Sequence, residues 1–154
     1  MDKLKAGIIL GTVISIAFIL LFLPVENIRI KEARPAQFVS NRPPGLLQAY
    51  NYRILLSYGT LLKRSEKEFF GQLLRFNSSE YSSSYFSSIL QAYREKGFDI
   101  NLTSYGNGQK AFLDWKNESS WGLSIGFLKD NKIYYVFGDR REAEKVMKWL
   151  ISLE

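Results

Sequence analysis

The sequence predicts an α+β fold behind one N-terminal transmembrane helix. Three observations carry that prediction. Ala6 to Leu23 is an unbroken run of apolar or small side chains, turn signals divide the C-terminal half into strands of alternating apolarity, and Ala143 to Leu153 carries an apolar stripe at helical spacing. The expected domain is an antiparallel sheet packed by helices, with a four-stranded C-terminal meander and room for one or two extra edge strands. The chain accordingly divides into an anchor (1–23), a Pro-containing juxtamembrane linker (24–45) and an α+β soluble domain (46–154).

The apolar run comes first. At about 1.5 Å per residue it reaches roughly 27 Å as a helix, close to the roughly 30 Å hydrocarbon core of a bilayer. A cleaved secretory signal would share the basic Lys3 and Lys5, but it has a shorter apolar region and a small-x-small cleavage site. Here the run ends Phe22-Leu23-Pro24-Val25-Glu26, so an uncleaved anchor is the expected reading. Basic residues flank it on both sides, Lys3 and Lys5 before, Arg29, Lys31 and Arg34 after, and the positive-inside bias nearly cancels. The resemblance of the short leader to an uncleaved export signal favours the N-terminus inside and the domain outside the cytoplasm. The sequons at Asn77, Asn101 and Asn117 lean the same way, although a Ser-rich chain yields such matches by chance. Gly7, Gly11 and Ser15 recur every fourth residue and form a helix-contact seam for another membrane protein or a second copy, or else reflect the frequency of glycine in membrane helices.

Prolines at 24, 35, 43 and 44 make the following segment a semi-rigid spacer, within which Val25 to Lys31 alternates enough to be compatible with an edge strand. Tyr50, Tyr52, Ile54, Leu56 and Tyr58 recur at period two and favour a strand that Gly59 ends, although Leu55 and the preceding Leu46-Leu47 also permit a helix. Ser65 with Glu68 reads as a capping box opening a short helix to Phe76, which would bury Phe69, Phe70, Leu73 and Leu74. The serines from 78 to 84 would end it, and Ser83 or Ser84 would cap a second helix whose Phe86, Ile89, Leu90 and Tyr93 face the core, with Gly97 at its terminus.

Asn107-Gly108 reads as a type I′ hairpin turn. That register sets Leu102 against Leu113, Ile100 against Trp115, Asn101 against Asp114 and Asp99 against Lys116. In the next hairpin, bringing Leu123, Ile125 and Phe127 to the same face as Ile133, Tyr135 and Phe137 requires a three-residue loop, Lys129 to Asn131, with Asn131 left-handed. Gly122, Ser124 and Gly126 then leave a shallow strip with Tyr134 opposite Gly126, a sheet-face contact for a ligand or backbone, or more simply a place for a tyrosine to lie flat. Asp139 with Glu142 caps the last helix, whose Ala143, Val146, Met147, Leu150 and Leu153 share a stripe with Trp149 at its edge.

From Phe98 onward, and especially in KIYYVFGDRREAEKVMKWL, the chain resembles the closing strand and helix of Mog1/PsbP-like domains, a group that includes uncharacterised envelope proteins. The resemblance covers about a third of the chain and implies a small α+β module whose better-known relatives work through protein contacts. It transfers no functional residue.

The chemistry available is narrow. With no histidine and no cysteine, the usual general base at neutral pH, a thiol nucleophile and the common transition-metal ligands are missing. No phosphate-loop glycine pattern occurs, and no lysine stands where it would activate a serine. No cofactor is expected. The net charge of +6 is scattered among acids, and Lys63-Arg64 and Arg140-Arg141 form no nucleic-acid patch. The expectation is a non-catalytic, membrane-anchored interaction or accessory protein of the cell envelope. The alternative is an extracytoplasmic domain that binds a small ligand or uses a carboxylate pair.

Overall fold

The computed structural model describes residues 2–38, 42–114 and 121–154. Helix α1 (Lys3–Phe22) leads into β1 (Val25–Pro35), β2 (Leu46–Gly59) and β3 (Arg64–Phe76); helix α2 (Ser79–Glu95) follows. Strands β4 (Asp99–Tyr105), β5 (Gly108–Asp114), β6 (Trp121–Lys129) and β7 (Lys132–Asp139) precede the closing helix α3 (Ala143–Ser152). The strands make an antiparallel sheet in the order β1-β2-β3-β7-β6-β5-β4. The chain forms two compact units, one of Met1–Asn27 with Leu56–Lys67, the other of Ile28–Leu55 with Glu68–Glu154.

Helix α1 buries none of its residues, and its mean hydropathy of 2.3 over a membrane-length window makes it long and apolar enough to cross a membrane. Downstream, part of the expected linker is built into the sheet: Val25–Pro35 is the edge strand β1. Strand β2 follows the period-two reading, with Ile54 and Leu56 fully buried, and Leu55 is buried as well.

The segment read as a helix from Ser65 is strand β3. Its apparent capping box is a coincidence of spacing, since Glu68 pairs with Arg53 of β2. Phe69 is fully buried and Phe70 is exposed, as successive residues of a strand point to opposite faces. The serine-rich stretch is helical, not a break. Ser78 caps α2 by accepting from the Tyr81 N–H, and buried Ser82 satisfies its hydroxyl on Ser79 O and Asp130 O at 3.0 and 2.6 Å. Phe86 and Leu90 are buried, and Gly97 has a φ of +88° just past the helix.

Both hairpin registers differ from the sequence reading. Tyr105 pairs with Gly108, so the first turn is Gly106-Asn107 and Leu113 sits opposite Ile100, with Ala111 opposite Leu102. Asp99 faces Asp114 and Asn101 faces Phe112; Trp115 and Lys116 lie outside the described residues, as does the sequon at Asn117. Gly106 takes the positive φ of +56° that the turn needs. Gly108 is glycine for another reason: a Cβ there would meet Leu128 O at 2.5 Å and the Phe127 ring at 2.7 Å. In the second hairpin Lys129 pairs with Lys132, leaving a two-residue Asp130-Asn131 turn in which Asp130, not Asn131, has positive φ. Asn131 is held instead by β3, its carbonyl accepting from the Phe76 N–H at 2.7 Å and its side-chain amide donating to Phe76 O at 2.9 Å.

The two-residue turn separates the apolar sets that the sequence reading put together. That separation strands no apolar set, because β6 and β7 bury side chains on both of their faces. In β6 and β7, Ile125 and Phe127 lie on the face of Tyr134 and Val136, whereas Gly126 and Leu128 lie on the face of Ile133 and Tyr135. The second face packs under α2, where Phe86 and Leu90 join Leu74, Phe76, Ala111, Leu113 and Ile133 in one cluster. The first takes α3, which buries Ala143, Val146, Met147 and Leu150, with Gly71 leaving room for Leu150 and Ile54. Leu153 is exposed and Trp149 half-buried, so the stripe ends one residue sooner than expected. Asp139 does not cap α3, which begins at Ala143; its carboxylate accepts from the Arg141 N–H at 2.9 Å in the preceding turn.

Polar clamps tie α3 to the sheet. The nearly buried Lys110 ammonium of β5 reaches Glu144 at 2.5 Å and lies over the Tyr105 and Phe112 rings. Glu154 accepts from the Tyr134 hydroxyl at 2.7 Å and pairs with Arg75 at 2.9 Å and Lys132 at 2.5 Å. Burial alone would raise the Glu154 carboxyl, but Lys132 and Tyr134 outweigh it and hold the group below its ordinary range. The Lys110 bond does the same for Glu144. A carboxylate depressed in the folded state contributes stability that is present above its unfolded pKa and lost as pH falls through the folded one. Denaturant unfolding of the full chain in detergent should therefore show stability declining on acidification below about pH 4.5, and Glu154→Gln should flatten that decline while lowering stability at neutral pH by about 1–3 kcal/mol.

Candidate functional site

Helix α2 covers only part of its face of the sheet. Beside it, within the unit of Ile28–Leu55 and Glu68–Glu154, an open groove of about 1020 Å³ runs over β1, β2, β3, β7 and β6. That volume is at the upper end of ordinary ligand pockets. Strand alternation supplies its floor, because Gln72, opposite Tyr135, and Phe70, opposite Phe137, share the face that α2 packs on. Ile89 and Tyr93 of α2 form one wall. Phe70 is 54% exposed there, an apolar ring left open to solvent in the middle of a sheet.

The polar groups of the groove are mostly satisfied. Gln72 donates to Asn51 Oδ1 at 2.9 Å, and at the rim Glu32 pairs with Arg34 and Arg53, the latter also holding Glu68. Arg53 keeps the Glu68 carboxyl below its ordinary range. Lys96 lies over the Tyr93 ring at 5.8 Å. Tyr135 is the exception. Its hydroxyl oxygen is sealed from water and, among the described residues, has no hydrogen-bond partner. Burial, with Tyr85 and Tyr93 adding to it, pushes that hydroxyl far above the ordinary tyrosine range. An unsatisfied buried hydroxyl costs about 1–3 kcal/mol and needs an explanation.

The expected sheet-face contact is rearranged. Gly126 sits opposite Tyr135, whereas Tyr134 faces Phe127 and points to the α3 side, where Glu154 takes its hydroxyl. Tyr134 and the glycine strip therefore do not share a face. A Cβ at Gly126 would lie 3.0 Å from both the Phe86 and Tyr135 rings, so the space over Gly126 is taken by α2 and by Tyr135. Gly122 falls at the register shift between Trp121 and Leu123. Ser124 alone of the four lines the groove. In α1, Gly7 and Gly11 face open space, and the Ser15 hydroxyl is spent on Gly11 O at 2.8 Å.

Sequence reasoning missed Phe70 and Gln72 because β3 was read as a helix, and Arg53 of β2 because its partner Glu68 was assigned to a capping box. The alternation of FFGQLLRF, with glycine inside it, was the available signal. No family model matches this sequence, and neither a curated protein nor a solved structure does.

Tyr135→Phe removes a hydroxyl that none of the described residues satisfies. The variant should be more stable than the parent in the absence of any groove occupant, by about 1–3 kcal/mol in denaturant titration, which is the opposite of what loss of a structural hydrogen bond would give.

Proposed function

We propose that the chain is a membrane-anchored, non-catalytic accessory protein of the cell envelope that works by holding a segment of a partner protein in the α2-side groove. The observation that carries this reading is the groove itself, long, open and aromatic, with Phe70 presented to solvent. Exposed aromatic area beside hydrogen-bonding amides suits an extended polypeptide, whose own polar groups Asn51 and Gln72 can meet. The resemblance of the C-terminal third to Mog1/PsbP-like domains, whose better-known members act through protein contacts, agrees with it. So does α1, which keeps such a partner at the bilayer; the orientation with the domain outside the cytoplasm belongs to the same proposal.

The carboxylate-dependent alternative finds little support. Glu32 is the one carboxylate in the described lining, and both Arg34 and Arg53 hold it. A small-ligand reading would rest on the Phe70 ring and the Asn51 and Gln72 amides of the groove, since the Tyr135 hydroxyl is sealed from any occupant.

A photoactivatable benzoylphenylalanine placed at Ile89, irradiated in native membranes, should give a discrete adduct with a second polypeptide, and one placed at Leu102 of β4 should not. Equal labelling from both positions, or none from Ile89, contradicts the partner reading. A bound small molecule that co-purifies with the parent chain and is lost from Phe70→Ala, without any protein adduct, moves the assignment to the small-ligand reading.

A further inference from the structure

The unit formed by Met1–Asn27 and Leu56–Lys67 contains, besides α1, the turn that joins β2 to β3. The turn is tight. The Thr60 N–H donates to Lys63 O at 2.8 Å, and the Lys63 N–H donates to Thr60 Oγ1 at 3.2 Å. Its two central residues are Leu61 and Leu62, 52% and 62% exposed. Turn centres facing water favour glycine, asparagine, aspartate, proline or serine, each of which supplies a backbone geometry or a local hydrogen bond. Leucine supplies neither and leaves apolar surface in water. Being this exposed, the pair does little for the core.

Strand direction places the turn. Strands β1 and β2 are neighbours, and the Ala36 N–H bond to Ala49 O together with the Glu32–Arg53 pair shows them running in opposite directions. Strand β1 starts at Val25, directly after α1 ends at Phe22. As β1 leaves the helix, β2 returns, so its closing turn belongs to the end of the sheet where the chain emerges from α1. Basic and aromatic groups collar that turn. Lys63 and Arg64 follow the leucines, and Lys67 lies over the Tyr58 ring at 5.3 Å. The nearest acid on the hairpin, Glu66, accepts from Ser57 at 3.4 Å.

Apolar residues at a tip with cations and an aromatic ring behind them is the pattern of side chains at a bilayer interface. We infer that the Thr60–Lys63 turn is a second membrane contact, inserting Leu61 and Leu62 into the lipid leaflet next to the anchor while Lys63 and Arg64 meet lipid phosphates. The inference rests on α1 being a membrane anchor.

The chain has no cysteine, so single-cysteine probes are clean. Full-length Val13→Cys, Leu62→Cys and Leu102→Cys, each labelled with nitrobenzoxadiazole, are reconstituted in phosphatidylcholine vesicles containing phosphatidylglycerol, with and without lipids spin-labelled on the acyl chain. The Leu62 probe should show blue-shifted emission and lose intensity to the shallow quencher, the Leu102 probe should do neither, and the Val13 probe should be quenched by the deep one. Replacing Lys63 and Arg64 by glutamine should reduce the Leu62 quenching. An unquenched Leu62 probe beside a quenched Val13 probe overturns the turn contact and leaves the anchor standing; unquenched probes at both positions overturn the anchor and the inference with it.

Discussion

Coverage of the sheet on both faces is the constraint from which the remaining features follow. Successive residues of the central strands are buried on opposite sides, Ile125 and Phe127 towards α3, Gly126 towards α2, and Ile133 and Tyr134 likewise divided. At about 25 cal/mol per Å² of apolar surface, a strand that buries both faces contributes nearly twice what a half-solvated one does. That gain lets β6 and β7 use a tight Asp130-Asn131 turn with no apolar residue stranded. It also explains why a charged side chain, Lys110, is accepted on the α3 side only with Glu144 and two aromatic rings around it.

The groove is what remains where one cover is incomplete. Helix α2 packs Phe86 and Leu90 over part of that face and leaves the rest open, so Phe70 is exposed, while the Tyr135 hydroxyl is buried with no bonding partner among the described residues. On the other face α3 leaves no such gap at Tyr134, whose hydroxyl Glu154 accepts. Two adjacent tyrosines of one strand thus have opposite fates. The difference lies in which helix faces them, not in their own chemistry.

Much of this architecture was legible in the sequence wherever one period dominated. The uninterrupted run of α1, the period-two residues of β2, and the apolar stripes that identify α2 and α3 as helices were recognised, though neither the starts of those two helices nor the exposure of Leu153 was. Strand β3 was not, because Ser65 and Glu68 mimic a capping box and Phe69-Phe70 with Leu73-Leu74 satisfies helical spacing as readily as a strand buried on both sides. The same two-sidedness defeated the hairpin registers: pairing rules that assume one apolar face gave a longer loop for β6–β7, and the glycine that a turn needs at 106 was confused with the glycine that close strand packing needs at 108. The site suffered most. Tyr134 was chosen over Tyr135 by a register error of one residue, enough to move a side chain to the opposite face.

Proton–proton contacts at two glycines test the two-faced sheet most directly. Gly126 should show nuclear Overhauser effects to the Phe86 ring of α2, and Gly71, which points to the other side, should show them to a Leu150 methyl of α3. Finding both places one helix on each face. Contacts from either glycine to both helices, or from neither to its assigned partner, would contradict that arrangement and remove the groove with it.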